Sequence, residues 1–402
     1  MNYAYFKHEL SLIIRSKKNM MFVLFLFALL ITYCVAILPN KQTIDSFDPE
    51  QMKLKLIEME GMQESREAQG ATGVIDMAGI SVYALDQQKY MRKNALLQAF
   101  EKEQYTRFLR LKYIDMDHEA IRKDKSLFPN SPFPEKDRDH LFRQTMLRYE
   151  SYLTSDLPIS YQMIEQKTAV QTVQNLFVTG LIYLLLFATI YLSSDVLIRD
   201  RKNRTVLQGM PIGWYRLINI KTLAAGVYVS LLFILLFIVG IGMLTLQNGF
   251  GYMELKVPIT VEGDSFGLIS YETMRIGKFI LLTLLGASLL IYLFLRLNML
   301  LSLILKNEWL VLLISTLILF AERLYFARDL REIIGIEISH FPQTYFEIGK
   351  VLSGEKNFLV NLSTISYTKG IVLFISTIIV VEILLWTVSL LVNRQRFYQK
   401  NE

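Results

Sequence analysis

Few residues in this 402-residue chain are of the types that carry covalent or metal chemistry. Its single cysteine, Cys34, lies inside an apolar run, so the chain has no intrachain disulfide and no cysteine-based metal site. The four histidines, His8, His118, His140 and His340, are scattered through the chain, which argues against a histidine metal cluster. A membrane enzyme would need a nucleophile, a base or metal ligands converging at membrane depth, and the sequence offers no such set. A phosphate-binding Gly-x-x-x-x-Gly-Lys-Ser/Thr loop is also missing: "RIGKF" and "EIGKV" hold a Gly-Lys pair without the first glycine or the following hydroxyl. Catalytic and metal-binding residues are therefore expected to be none.

Two other features are chemically loaded. Glu382 sits near the centre of the apolar run "GIVLFISTIIVVEILLWTVSLLV", where an acidic residue costs about 2.5–3.5 kcal/mol on insertion scales, so it should face the protein interior or a cavity. Arg296, near the inner end of another apolar run, is the conceivable partner by snorkelling. Their expected depths differ by roughly 9 Å at 1.5 Å per residue, so contact needs tilt or a register shift. Two roles stay open for Glu382: a responsive element of a translocation path, or an internal hydrogen bond that fixes helix packing. The second feature is "SSDVLIRDRKNRTVLQGMPIGWYRLINIK", which packs six basic residues around a short Gly-Met-Pro-Ile-Gly centre between two apolar runs. Pro211 and Gly213 punctuate it, and Trp214, Tyr215 and Leu217 can anchor the next helix at an interface.

The elements that must position these residues are set by apolar runs of membrane length. With 52% hydrophobic residues and a mean hydropathy of +0.32, the composition disfavours a soluble globular protein. The expected fold is all-α and polytopic, with six transmembrane helices at 20–38, 176–192, 223–246, 279–295, 309–326 and 370–392. The fifth is the weakest, because Glu322 and Arg323 interrupt it. The first run is too long for a signal peptide and lacks a cleavage site. Even parity places both termini on one side. With the termini cytoplasmic, cytoplasmic segments carry more Lys and Arg than the shorter external loops, a moderate positive-inside bias. Before the first span, residues 1–19 place Tyr5, Phe6, Leu10, Ile13 and Ile14 on one side of a helix and His8, Glu9 and Arg15 away from it. This suits either a helix in the headgroup plane or an extension of the first span.

Residues 40–168 hold 19 Lys/Arg against 21 Asp/Glu, so the net charge of +6 belongs to the remainder of the chain. That basic excess fits orientation and lipid headgroups, with no pattern favouring nucleic acid. The segment is expected to be an external helical domain between the first two spans. Asp48 caps its first helix and Pro49 takes the first helical position; "NALLQAFEKEQYTRFLRLKYI" continues the helical pattern, and "PFPEKDRDHLFRQTMLRYESYL" makes a third helix. It either handles a substrate or partner, or is a rigid extension without a ligand. The loop 193–222 is expected to be cytoplasmic, 247–278 external with a small hairpin around Glu262-Gly263-Asp264, 327–369 an external segment of short helices, and 393–402 a cytoplasmic tail.

The stretch "DVLIRDRKNRTVLQGMPIGWYRLINIKTLAAG" resembles the membrane subunit of type-2 ABC exporters: an acidic residue, basic residues, threonine and leucine, a proline, an Arg-Leu step and a lysine entering the third span. The large insert after the first span is similar to the subgroup that includes sodium-efflux-type and antimicrobial-peptide-related exporters. In the family the acidic residue is commonly glutamate; here Asp195 and Asp200 compete for its place. The resemblance implies a permease in which Asp200, Arg201, Arg204, Thr205, Gln208, Pro211 and Trp214 form a coupling helix held by a separate ATP-binding subunit. It also implies no cofactor on this chain, ATP and Mg on the partner ATPase, a second copy or related permease, and surrounding membrane lipid. The localisation expected is a bacterial plasma membrane. The aliphatic and aromatic spans suit an apolar or amphipathic cargo such as a peptide, antibiotic or lipid. Sodium efflux and a non-transporting sensor are the alternatives.

Overall fold

A computed structural model describes residues 2–73, 81–116, 118–202, 212–262, 269–328 and 330–398. Helix α1 (Asn2–Ile14) precedes α2 (Lys17–Thr32), which continues through a π turn at Tyr33–Ile37 to Asn40. Then come α3 (Pro49–Ala68), α4 (Val82–Glu101), α5 (Tyr105–Asp115) and α6 (Pro134–Leu153). The chain returns through α7 (Ala169–Thr179), α8 (Leu181–Ser193) and the long α9 (Trp214–Asn248). Strands β1 (Lys256–Glu262) and β2 (Ile269–Arg275) pair antiparallel, with Lys256 opposite Arg275 and Glu262 opposite Ile269. They lead into α10 (Ile276–Leu305) and α11 (Glu308–Tyr325), the short α12 (Ile348–Leu352) and α13 (Glu355–Val360), and α14 (Tyr367–Leu391). The fold is thus mostly helical with one long hairpin, whose expected turn residues Gly263 and Asp264 lie outside the described residues, and one two-residue antiparallel pair after α11, Glu332–Ile333 against Ile336–Glu337.

Among the described residues, four helices are long and apolar enough to cross a membrane: Lys17–Asn40, α9, α10 and α14. A fifth span exists if Tyr161–Thr179 and α8, bent by 71° about Gly180, are taken together. The six expected spans are therefore four or five by this measure. Helix α11 falls short because its 18 residues include Glu308, Glu322 and Arg323. The run expected to be continuous over 176–192 breaks because Gly180 adopts φ 137°, a conformation a side chain would resist. The hydroxyl of Thr179 also bonds back to the Asn175 carbonyl at 2.9 Å, a local competition that helps end a helix.

Helix α10 is central, packing against α7, α8, α9, α11, α12 and α14. Polar side chains tie its C-terminal half: Asn298 donates to Ile190 O at 3.1 Å and Ser193 Oγ at 2.6 Å, and accepts from Ser315 Oγ at 2.5 Å. Such bonds replace the hydrophobic drive that is missing between helices in lipid. Backbones also approach closely: a Cβ built on Gly349 would lie 2.3 Å from the Phe177 carbonyl oxygen, so only glycine lets α12 seat against α7.

Helices α3–α6 form a polar module with its own core of Phe108, Leu109, Tyr149, Tyr152 and Ile164. As expected, Asp48 caps α3, accepting from the Glu50 and Gln51 amides, with Pro49 following it. The expected continuous helix through "AFEKEQYTRF" divides into α4 and α5 at Lys102–Gln104, where Glu103 takes φ 54°. The hairpin belongs to this module, since α6 packs on both strands and Leu255, Val257 and Ile276 complete its core. Asp45, fully buried, is the module's polar centre: Arg148 and Gln166 donate to its carboxylate at 2.8 and 3.0 Å, and Tyr149 at 2.5 Å.

Candidate functional site

The residues singled out by charge fall into two polar sites joined by α9 and α10. In the first, Arg296 on α10 meets Glu382 on α14 directly, with guanidinium Nε and Nη2 each 2.5 Å from a carboxylate oxygen. The separation expected from sequence depth is absent; Arg296 and Glu382 form a two-pronged ion pair. Helix α9 supplies the remaining partners at helical spacing: Arg296 donates to Asn219 Oδ1 at 2.9 Å, Thr222 Oγ1 at 3.2 Å and Tyr215 Oη at 3.3 Å. Tyr292, one turn from Arg296, donates to Glu382 at 2.7 Å.

The guanidinium is buried, while the Glu382 side chain keeps 27% of its surface open. It opens onto a groove of about 650 Å³ between α9, α10 and α14, whose wall also holds Ser230, Gly226 and Leu231. The groove therefore has a fixed, charge-balanced polar floor and aliphatic sides. Chemically it can accept and donate hydrogen bonds to a guest while keeping its own charges compensated. Asn219, Thr222 and Tyr292 were not singled out by sequence, and Tyr215 was named only as an interface anchor, although their spacing on α9 and α10 was a usable signal.

The second site is at the loop between α8 and α9. Lys221, completely buried on α9, lies 3.0 Å from Asp200 Oδ1 and 2.8 Å from Glu9 Oε2, with the Tyr5 ring 5.8 Å away. The Glu9 approach is within ion-pair reach without being aligned as a hydrogen bond. Arg199 adds a second cation 3.5 Å from Glu9. Burial raises the Asp200 carboxyl above the usual carboxylate range, opposed by the Lys221 charge.

Two expectations change here. Glu9 belongs to the buried stripe of α1 with Tyr5 and Ile13, while Ile14 is exposed; spacing of four residues puts Tyr5, Glu9 and Ile13 on one face, and Lys221 compensates the charge. Asp200, expected to project from the loop, is 4% exposed and turned inward for the same reason. Asp195 is also engaged, 3.3 Å from Lys18 at the start of α2.

The other described loop residues reach the far ends of the later helices. Arg201 donates to Lys306 O at 3.0 Å, just past α10, and packs over the Phe397 ring at 5.7 Å. Trp214 donates to Val392 O at 2.9 Å, just past α14, with its ring 5.3 Å from that of Phe397. Arg204, Thr205, Gln208 and Pro211 lie outside the described residues.

A third cluster was visible in the sequence only as an interruption. Glu322 on α11 pairs with the buried Lys356 of α13 and accepts from Tyr183 Oη at 3.0 Å. Lys356 also reaches Glu347 at 3.2 Å, and Glu347 takes Arg323 at 2.8 Å and Lys350 at 3.0 Å. Burial would raise the Glu347 carboxyl, but the charges of Lys356 and Lys350 hold it below its ordinary value. Nearby, Arg328 grips Asp137 of α6 with two bonds of 2.6 and 2.8 Å, fastening the polar module to the segment after α11. Comparison with protein-family models, curated proteins and solved structures finds no match to this chain.

Proposed function

We propose that this chain is the membrane-spanning subunit of an ATP-driven exporter of the type-2 ABC kind. It works with a separate ATP-binding subunit, which holds ATP and Mg, and with a second copy or a related permease. The reading takes six spans by adding α7–α8 and α11 to the four long apolar helices. Both termini are cytoplasmic, the α3–α6 module is external, and the membrane is a bacterial plasma membrane. The cargo is an apolar or amphipathic molecule.

The observation that carries this reading is the wiring of the loop between α8 and α9. Asp200 is bonded to Lys221 and through it to Glu9, Asp195 to Lys18, Arg201 to Lys306 and Trp214 to Val392. A push on this loop therefore reaches α1, α2, α9 and the inner ends of α10 and α14 through direct contacts. A loop serving only to hold positive charge inside needs no buried linkage of this sort. The groove above Arg296 and Glu382 adds a polar contact surface at membrane depth for such a cargo.

The test is purification with native companions into lipid, followed by ATP hydrolysis assays across candidate peptides, antibiotics and lipids. Co-purifying ATPase whose activity rises with one cargo class supports the reading. A chain isolated with no ATPase, or an ATPase that never touches this loop, refutes it. A second reading, a membrane sensor, draws on the Arg328–Asp137 clamp, which mechanically joins the polar module to the segment after α11. Ligand-dependent signalling without any associated ATPase would favour it.

A further inference from the structure

The bend at Gly180 leaves a cleft between α2, the α7–α8 pair and α9. One part of it is a hollow of about 360 Å³ with an almost wholly apolar wall, including Leu30, Leu184, Phe233 and Phe237. This is within the usual range for small-molecule pockets. Tyr33 and Thr179 line this hollow and also a second one of about 210 Å³, whose wall is mixed and includes Lys41, Lys167, Glu165 and Asn175 beside Leu38 and Val178. The two hollows therefore adjoin at these residues, and the lining changes from aliphatic in the first to mixed and charge-bearing in the second.

Charge at the polar end is not balanced. Lys167 is paired with Glu165 at 3.1 Å, whereas Lys41 is a further cation on the same wall. One net positive charge thus stands beside hydrogen-bonding side chains at the mouth of an alkyl-lined slot. From this juxtaposition we infer that the cleft is a binding site for a bilayer phospholipid with an anionic headgroup. One acyl chain lies along Leu184 and Phe237, and the phosphate end sits at Lys41 and Lys167. The occupant is a lipid because the slot is open along the membrane-length helices and its polarity gradient matches that of an acyl chain joined to a phosphate. The inference does not depend on an ATPase partner or on the identity of any exported cargo.

The test uses the full chain in nanodiscs of phosphatidylcholine containing a small fraction of phosphatidylglycerol, with retained lipids counted by native mass spectrometry. Wild type should retain about one phosphatidylglycerol per chain against the excess of phosphatidylcholine. Filling the slot with Leu184→Trp should cut that retention by at least about tenfold, as overpacking would predict. Ile379→Trp, at an exposed site on α14, should leave retention unchanged. Lys41→Gln should lower the preference for phosphatidylglycerol roughly fivefold, the weight of one basic residue near an anionic headgroup, while phosphatidylcholine still enters the slot. Thermal melts of each variant in the same nanodiscs separate lost binding from lost folding. Unchanged retention in a folded Leu184→Trp, equal binding of the two lipids by wild type, or a peptide rather than a lipid as the retained species would each overturn the inference. If Leu184→Trp unfolds, the Lys41→Gln preference decides alone: unchanged preference overturns it.

Discussion

Replacing Arg296 with Met removes the cation from beneath Glu382 without emptying the space it fills. At a charge separation of about 4 Å and an effective dielectric near 20, the attraction lost is about 4 kcal/mol, and part of it is offset because the guanidinium no longer has to be stripped of water. Breaking a buried pair by removing one partner generally costs about 3–5 kcal/mol. The lower end, about 3 kcal/mol, is expected here because 27% of the Glu382 side chain is open to the groove and Tyr292 and Tyr215 still reach its carboxylate at 2.7 and 3.4 Å. Glu382→Leu strands the guanidinium instead, at about 2 kcal/mol, since Asn219, Thr222 and Tyr215 continue to accept from it. The double variant Arg296→Met/Glu382→Leu should lie within about 1 kcal/mol of wild type, because neither change leaves an orphaned charge. The assay is reversible unfolding in mixed micelles, titrated with SDS and followed by the three tryptophans. Single effects that add in the double variant to within about 0.5 kcal/mol would refute the reasoning that the two side chains act as one unit. In the same series, Glu382→Gln should preserve assembly and alter transport or its pH dependence; transport unchanged across pH would leave the pair a packing element only.

Lys221→Met should destabilise the chain by about 3–5 kcal/mol by leaving Glu9 and Asp200 buried without their shared cation. That deficit should shrink in acid, because a carboxylate raised by burial, as Asp200 is, takes up a proton in the folded state first, so stability falls as pH rises through its folded value; micelle melts at several pH values would show it, and a pH-independent deficit would count against it. His140 is pushed down to about 4 by burial, while its ring stacks on Phe358 at 3.8 Å and meets the Tyr271 hydroxyl at 2.8 Å. Unfolded histidine protonates near pH 6.5, so the polar module should lose up to about 3 kcal/mol between roughly pH 6.5 and about 4, and His140→Phe should flatten this acid slope in hydrogen-exchange measurements on α6. Gly349→Ala should cost more than about 3 kcal/mol, since its methyl would be driven into the Phe177 carbonyl; a melting temperature within about 2 °C of wild type would contradict the close seating of α12 on α7.

Much of the helical plan was legible because apolar runs of membrane length declare themselves, and the Asp48–Pro49 start of α3 could be read from capping chemistry alone. What hydropathy hides is the pairing of charges. Glu9 was placed on the outer side of α1 because carboxylates usually face water, yet its partner Lys221 stands 212 positions later in the chain. Glu322 and Arg323 read as an interruption of a span, whereas they are held by Lys356 and Glu347 from the segment that follows. The break at Gly180 gave no warning because a glycine inside "VTGLIYLL" costs little in a hydropathy profile, and its backbone conformation is set by packing. Arg296 and Glu382 could be named from their cost in lipid, but not their contact, which depends on how α10 and α14 lie against each other.

The hairpin has a consequence for the order of synthesis. Leu255, Val257 and Ile276 close a core whose other members, Phe108, Tyr149 and Ile164, leave the ribosome about a hundred residues earlier. Until α9 has been laid down and the strands beyond it have emerged, the module keeps an unsealed apolar floor. A nascent chain stalled before Leu255 should consequently be a client for chaperones, and a gene fragment ending at α6 should yield a protein that clings to others of its kind.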